Sequence, residues 1–385
     1  MSLPSSAPLS AKATWMRGGT SKGLFFQAKD LPSEPTIRDQ FLLSVIGSPD
    51  PYGKQIDGVG GATSSTSKIA IIAPTTRSTF DVEYTFGHVP ISSNSIDYSG
   101  NCGNLTAAVG IFAIKEGMVT PQHPVTTIHV WQTNLEQSIT IEVAVDTEGN
   151  PITSGTYTIA GVASTGSPIN ISFNDPSGFD NTLPTNTPTT TLSLPFPVLS
   201  ETNIESSLIN AGNPTIFIKA EDIGLFGNES PNDLEKHPRF GDIIEHIRIQ
   251  GAIAMNLITC AAEAESRPAT PKVCILSHPS EYAATNGKTI PAYGYDVGAR
   301  IISMGKPHHA ITGTGAIALA VATRIPDTIA HKIVGADNAS VRIGHPAGVM
   351  ETIAHVNNNQ AVSAGFIRTA RVLMEGVVYR NEVEY

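Results

Sequence analysis

Gly100-Asn-Cys-Gly-Asn-Leu105 and Thr312-Gly-Thr-Gly-Ala316 are the two stretches whose reading decides the fold. Each is a loop of small residues that opens an apolar run. After the first, Leu105, Ala108, Val109, Phe112 and Ala113 recur at the spacing of one helix face, which predicts a helix over 105–117. After the second, Ala316 to Thr323 predicts another helix, stopped before Pro326. Strand-like runs precede both loops. Strands, Gly-rich loop and short apolar helix therefore repeat about 210 residues apart, which implies two related domains. Each would aim a helix N-terminus at a shared cleft, where free N–H groups and the helix dipole favour an anion.

Outward from these loops the chain reads as alternating strands and turns. Trp15 to Phe26, with Gly18-Gly-Thr-Ser-Lys-Gly23 at its middle, is hairpin-like. Residues 37–46 predict a helix, and Lys68-Ile-Ala-Ile-Ile-Ala73 a buried strand ended by Pro74. Further strands are expected at 80–88, 125–131, 138–145, 157–162 and 169–173. Residues 176–199, rich in Pro, Thr, Asn and Ser, read as a linker. Beyond it, strands are expected at 215–219, 272–277 and 299–304, with a long helix over 242–262. The expected class is α+β, with one domain over residues 1–180 and a second over 181–385.

Composition bounds the function. The 385 residues are 40% hydrophobic and 15% charged, enough apolar material for sizeable cores. The 34 glycines and 27 prolines, about a sixth of the chain, stay below the ~25–30% of low-complexity segments. A net charge of −10 argues against nucleic-acid partners, yet leaves room for a small anionic substrate in a locally positive pocket. No 18-residue apolar run suggests a membrane span, and residues 1–10 lack the pattern of a secretory signal. Three cysteines without a CxxC pair suit a reducing compartment, so the cytoplasm is the expected location. A homodimer is compatible with the sequence.

Cys102 is the most informative residue. Cys260 and Cys274 sit on apolar faces and read as small buried hydrophobes. Cys102 instead lies between Asn101 and Gly103 at a helix start, an environment that favours a thiolate. Lys68, after a run of hydroxyl residues, is either a solvated strand end or a base desolvated at a cleft mouth. Gly18–Gly23 does not fit a phosphate loop, and the GxGxxA match at Gly313 follows no apolar strand, so nucleotide binding is disfavoured. His308 and His309, if on a strand, would point to opposite faces, one buried and one exposed. No metal-ligand spacing occurs.

Met16 to Gly23, Gly100 to Asn104, Met304-Gly-Lys-Pro-His-His-Ala310 running into Thr312 to Ala316, and Gly344-His-Pro-Ala-Gly348 together resemble the PrpF family of the diaminopimelate epimerase-like superfamily. The resemblance spans nearly the whole chain. It implies two domains, each a β-barrel-like sheet around a central helix, with the active site between them. It also implies cofactor-independent proton shifts on unsaturated di- or tricarboxylates such as aconitate or 2-methylaconitate. The family's catalytic lysine and cysteine fall on Lys68 and Cys102, and its Ser-Lys turn on Ser21 and Lys22. The wider superfamily uses two cysteines, one per loop; Thr312 stands where the second would be, which disfavours racemisation at a single stereocentre.

The expected function is isomerisation of an unsaturated polycarboxylate by Lys68 and Cys102, with no cofactor and no metal. The expected substrate contacts are Ser21, Lys22, Ser64, Ser65, Thr66, Asn101, Gly103, Asn104, Arg300, Met304, His308, Thr312, Gly313, Thr314 and Gly315. Lys22 is the first choice for a carboxylate partner; Arg17, Arg300, Lys306 and His308 follow. Backbone N–H groups of Gly103, Asn104, Thr314 and Gly315 would stabilise the intermediate. The alternatives are a racemase or epimerase of a small amino or hydroxy acid, and a catalytically inactive fold relative.

Overall fold

The computed structural model describes residues 10–178, 181–335 and 340–381. The junction expected between residues 180 and 181 lies outside the described residues, as do the terminal segments 1–9 and 382–385. The first half contains β1 (Ser10–Gly18), β2 (Ser21–Gln27), α1 (Pro35–Ile46), β3 (Lys68–Pro74), β4 (Val82–His88), α2 (Gly103–Lys115), β5 (Val125–Gln132), β6 (Gln137–Ala144) and β7 (Ile169–Asn174). Then follow β8 (Thr190–Val198), β9 (Glu201–Ala211), β10 (Asn213–Lys219), α3 (Pro231–Lys236), α4 (Phe240–Ala254) and β11 (Lys272–Ser277). The chain continues through β12 (Tyr282–Ala283), β13 (Thr289–Ile290), β14 (Val297–Ser303), β15 (Lys306–Pro307) and α5 (Gly313–Thr323). It ends on α6 (Ile329–Val334), β16 (Ser340–His345), β17 (Gly348–Asn357), β18 (Gln360–Arg368) and β19 (Ala370–Tyr379).

These elements form an α+β fold in which two parts of one 17-stranded sheet each wrap a central helix. Strands β1 to β7, joined by β19 along β1, surround α2. Strands β9, β10, β16, β17 and β18 surround α5. Both helices are apolar on every face, as a helix buried all round must be. In α2 every residue from Gly103 to Ile114 is buried, and in α5 every residue from Gly313 to Thr323. Gly110 lets the sheet close on α2: a Cβ there would lie 2.8 Å from a methyl of Val143. Each fully buried Ile, Leu or Phe of this core contributes ~1.5–3 kcal/mol of transfer free energy.

Strand β18 pairs with β17 on one side and with β7 on the other, so this ladder, like that of β19 on β1, joins the two halves. The stretch 176–199 read as a linker carries β8 and buries Leu183, Leu192 and Leu194, because its Thr-Leu-Ser-Leu alternation suits a half-exposed strand. Residues 157–162 form no strand, only an isolated bridge from Tyr157 to Gly166. The helix expected over 242–262 stops at Ala254, and a 3-10 turn over Ala261–Ser266 follows. Among the described residues no helix is long and apolar enough to cross a membrane.

Candidate active site

Cys102 is the N-cap of α2 and Thr312 the N-cap of α5. The two helix starts touch through their glycines: a Cβ on Gly103 would lie 3.0 Å from the Thr314 nitrogen, and one on Gly313 would lie 2.9 Å from the Gly103 carbonyl carbon. Only two residues without side chains let the backbones come this close. An asparagine pair fastens the same region across the halves. The Asn101 N–H donates to Asn213 Oδ1 at 2.8 Å, and Asn213 Nδ2 donates to the Asn101 carbonyl at 3.0 Å. Both first turns carry N–H groups without intrahelical acceptors. The Gly315 N–H is taken by the Thr312 hydroxyl at 3.2 Å, so Gly313 and Thr314, rather than Gly315, offer free donors beside Gly103 and Asn104.

Beside this junction lies a small cleft. It brings together Lys68, Asn101, Cys102, Gly103, Asn104, Thr312, Gly313 and Thr314 of the predicted set. Lys68 Nζ donates to Cys102 Sγ at 3.2 Å and to Ser21 Oγ at 3.1 Å. The Leu105 N–H also reaches Sγ, at 3.5 Å, while Asn101 Oδ1 accepts the Cys102 N–H at 2.6 Å. Lys68 and Cys102 are buried, at 5% and 6% exposure. The hairpin of β1 and β2 places Ser21, and the parallel pairing of β2 with β3 sets Lys68 beneath it.

The cleft also contains a residue that the sequence reading missed. Lys272, the first residue of β11, is 6% exposed and donates to the Ala269 carbonyl at 3.0 Å and to Ser303 Oγ at 3.4 Å. Burial, and then the neighbouring Lys68 ammonium, lower its pKa to about 8, against the pull of Cys102 and Asp97. Asp97 lines the cleft too, with its carboxylate accepting the N–H groups of Ser99 and Ala269. Burial, reinforced by Lys68 and Lys272, holds His88 well below the usual histidine range, so it is neutral. His88 Nε2 and Asn101 Nδ2 are buried without a partner. The cleft thus presents the amino groups of Lys68 and Lys272, one carboxylate and several unengaged polar atoms with which an anion can pair.

Other predicted contacts lie elsewhere. Lys22 alternates to the opposite side of β2 from Ser21, and its Nζ sits 5.6 Å from the centre of the Trp15 ring. Arg300 is buried among backbone carbonyls, with Nε donating to Glu229 at 2.7 Å, and stacks 5.0 Å from the centre of the Tyr282 ring. Arg17 donates to the carbonyls of Gly19 and Thr369. Met304, at φ 54°, and Gly305, at φ 70°, make the tight turn between β14 and β15, and Lys306 is exposed on it. Ser65 and Thr66 bond Thr63, and none of Ser64, Ser65 and Thr66 lines the cleft. His308 is buried and His309 exposed, but they are not on opposite faces: the rings stack 4.5 Å apart, because the chain has left β15 before them. His308 holds the Ala310 backbone through Nδ1, which leaves Nε2 unpartnered.

Two apolar helices capped towards one cleft, each wrapped by its own set of strands, define the diaminopimelate epimerase-like fold. A hydroxyproline epimerase from Agrobacterium vitis shares that fold, at a TM-score of 0.53 and 11% identity over 96% of this chain and 93% of that one. Residues 9–381 match the PrpF protein family, and the chain belongs to that family of isomerases. It is 42% identical over 384 residues to a 2-methyl-aconitate isomerase of Shewanella oneidensis, covering 95% of this chain and 96% of the relative. A crystal structure of methylitaconate-delta-isomerase superposes at a TM-score of 0.77 with 34% identity, over 99% of this chain and all of that one.

Proposed function

We propose that this isomerase moves an allylic proton on an unsaturated polycarboxylate, using Lys68 and Cys102 as the two proton carriers. The observation that carries this reading is the 3.2 Å contact between Lys68 Nζ and Cys102 Sγ, in a cleft flanked by two helix N-termini. One of the pair removes a proton from the carbon next to the double bond. The electron pair delocalises through the double bond into the conjugated carboxylate. The partner returns a proton to the same or the distal carbon, so the product keeps the substrate's composition with its double bond moved or its geometry inverted. The N–H groups of Gly103, Asn104, Gly313 and Thr314 face the charge that develops. Lys272 holds a carboxylate remote from the reacting carbon. Both proton carriers are side chains of this chain, so the reaction as written calls on no cofactor.

Racemisation would need a second acid on the α5 side. Thr312 offers only a hydroxyl there, a far weaker acid than a thiol. The test is a substrate panel of 2-methylaconitate, cis- and trans-aconitate and methylitaconate, followed by proton NMR in D₂O. Deuterium should enter the allylic positions as the double bond moves. Failure to isomerise or exchange any of the four would refute the reading.

A further inference from the structure

Behind the two cap loops lies a second pocket. Its walls come from the immediate neighbours of the reaction cleft: Thr20 precedes Ser21, and Ile311 precedes Thr312. Arg368 and His345 also line it, at 5% and 2% exposure, with Tyr157 beside them. Arg368 ends β18. Its Nε donates to Asn104 Oδ1 at 3.0 Å, one terminal nitrogen to the Ile367 carbonyl at 3.0 Å, and the other to the Met350 sulfur. All three acceptors are neutral, and no carboxylate among the described residues pairs with this guanidinium. Three of its five N–H groups are engaged, which leaves two.

Burial lowers the Arg368 pKa only to about 10, so the group is cationic at neutral pH. A buried charge without a counter-ion is strongly disfavoured unless an anion joins it. His345 adds a donor. Its Nδ1 accepts the Ala347 N–H at 3.2 Å, which places the proton of the neutral ring on Nε2. Glu351 is an exposed residue of the lining and accepts from the Ser340 hydroxyl.

We propose that this cavity is a second oxyanion site, taking a carboxylate or phosphate group on Arg368, His345 and Thr20. Asn104 links it to the reaction cleft: its Oδ1 accepts from Arg368, its Nδ2 donates to Thr20 at 3.1 Å, and it lies in the first turn of α2. An anion that draws on Arg368 therefore acts on the residue that helps set the Cys102 helix start.

The test is calorimetric titration of wild type, Lys68→Met and Arg368→Met with inorganic phosphate and, separately, with tricarballylate, a saturated tricarboxylate that cannot isomerise. Lys68→Met should retain an anion-binding event like that of wild type, and Arg368→Met should weaken it at least tenfold. The tighter of the two probes identifies the ligand class. Because tricarballylate can also enter the reaction cleft through Lys272, the deciding titrations are run in a Lys68→Met/Lys272→Met background: binding there that survives the added Arg368→Met change, or no saturable binding of either probe there, overturns the proposal. If Arg368→Met does not fold, selenate soaked into wild-type crystals decides the matter. An anomalous peak within hydrogen-bond distance of the Arg368 guanidinium supports the site, and its absence there refutes it. That outcome is independent of whether any aconitate-like acid is turned over.

Discussion

In the proposed mechanism Lys68 and Cys102, which share one hydrogen bond, act as a single proton-transfer unit rather than as separate contributions to rate. Lys68→Met and Cys102→Ala should each nearly abolish turnover, and the double variant should be scarcely slower than either single one, because residues acting as a unit are strongly non-additive. Single-turnover rates on the best substrate of the panel check this; additive losses would separate the two residues. Both positions were legible from sequence, one from its Gly/Asn flanks and the other through the family resemblance. Lys272 was not, because a lysine at the start of an apolar strand reads as a solvated end. Only the tertiary fold, which lays β11 against β10 and β14, buries it. Removing its charge by Lys272→Met should raise KM roughly 10- to 150-fold, the equivalent of ~1.5–3 kcal/mol for a hydrogen bond to a charged group. The sign of the pH effect follows from its lowered pKa of about 8. Below that pH the ammonium is present to meet a carboxylate; above it the free enzyme loses the charge. KM should therefore rise from about pH 8 upward in wild type, and Lys272→Met should lack that limb. Identical KM–pH profiles would remove Lys272 from binding.

The elements that matter most are two short helices whose starts are in backbone contact. Gly103→Ala puts a methyl about 3.0 Å from the Thr314 nitrogen, too close for either backbone to accept without moving. Overpacking of this kind costs ~1–3 kcal/mol. A shift near 1 Å in the Cys102 cap can cost ~100-fold in rate. The expected outcome is a folded protein with a lower melting temperature and a kcat reduced ten- to a hundredfold; unchanged kcat would show that the caps are not held by this contact. Both helices were readable because their loops are Gly-rich and their runs are apolar on all sides. The C-terminal strands β16 to β19 were not read. In β19, Leu373, Met374 and Val377 are exposed, so its apolar residues do not follow the alternation that marks a half-buried strand. The Thr-rich stretch over β8 was hidden by a composition that suits a linker as well as an exposed strand.

At the scale of the molecule, the repeat visible in the sequence suggests two self-sufficient halves, but the strand order ties them together. β19 follows the whole second half and then runs antiparallel along β1, from Ser10 opposite Tyr379 to Gly18 opposite Ala370. β18 likewise closes the other side of the first set of strands on β7. One apolar cluster extends from Met16 and Leu105 through Ile317 to Phe366 and Ala370, so the core is continuous across the repeat. A fragment ending at residue 178 would lose both flanking strands at once. It would expose two unpaired edges and the side of α2 that packs on β19. Open edges beside an uncovered core favour association over folding. Expressed alone, residues 1–178 should therefore aggregate or show no cooperative melting by circular dichroism. Co-expression with residues 179–385 should restore a soluble complex with measurable isomerase activity, since Lys68 and Cys102 come from one piece and Lys272 and the α5 cap from the other. A monomeric 1–178 fragment that melts cooperatively would show that α2 and its own seven strands suffice. The pairing of β19 with β1 would then be a fastening between finished domains rather than a part of the first one.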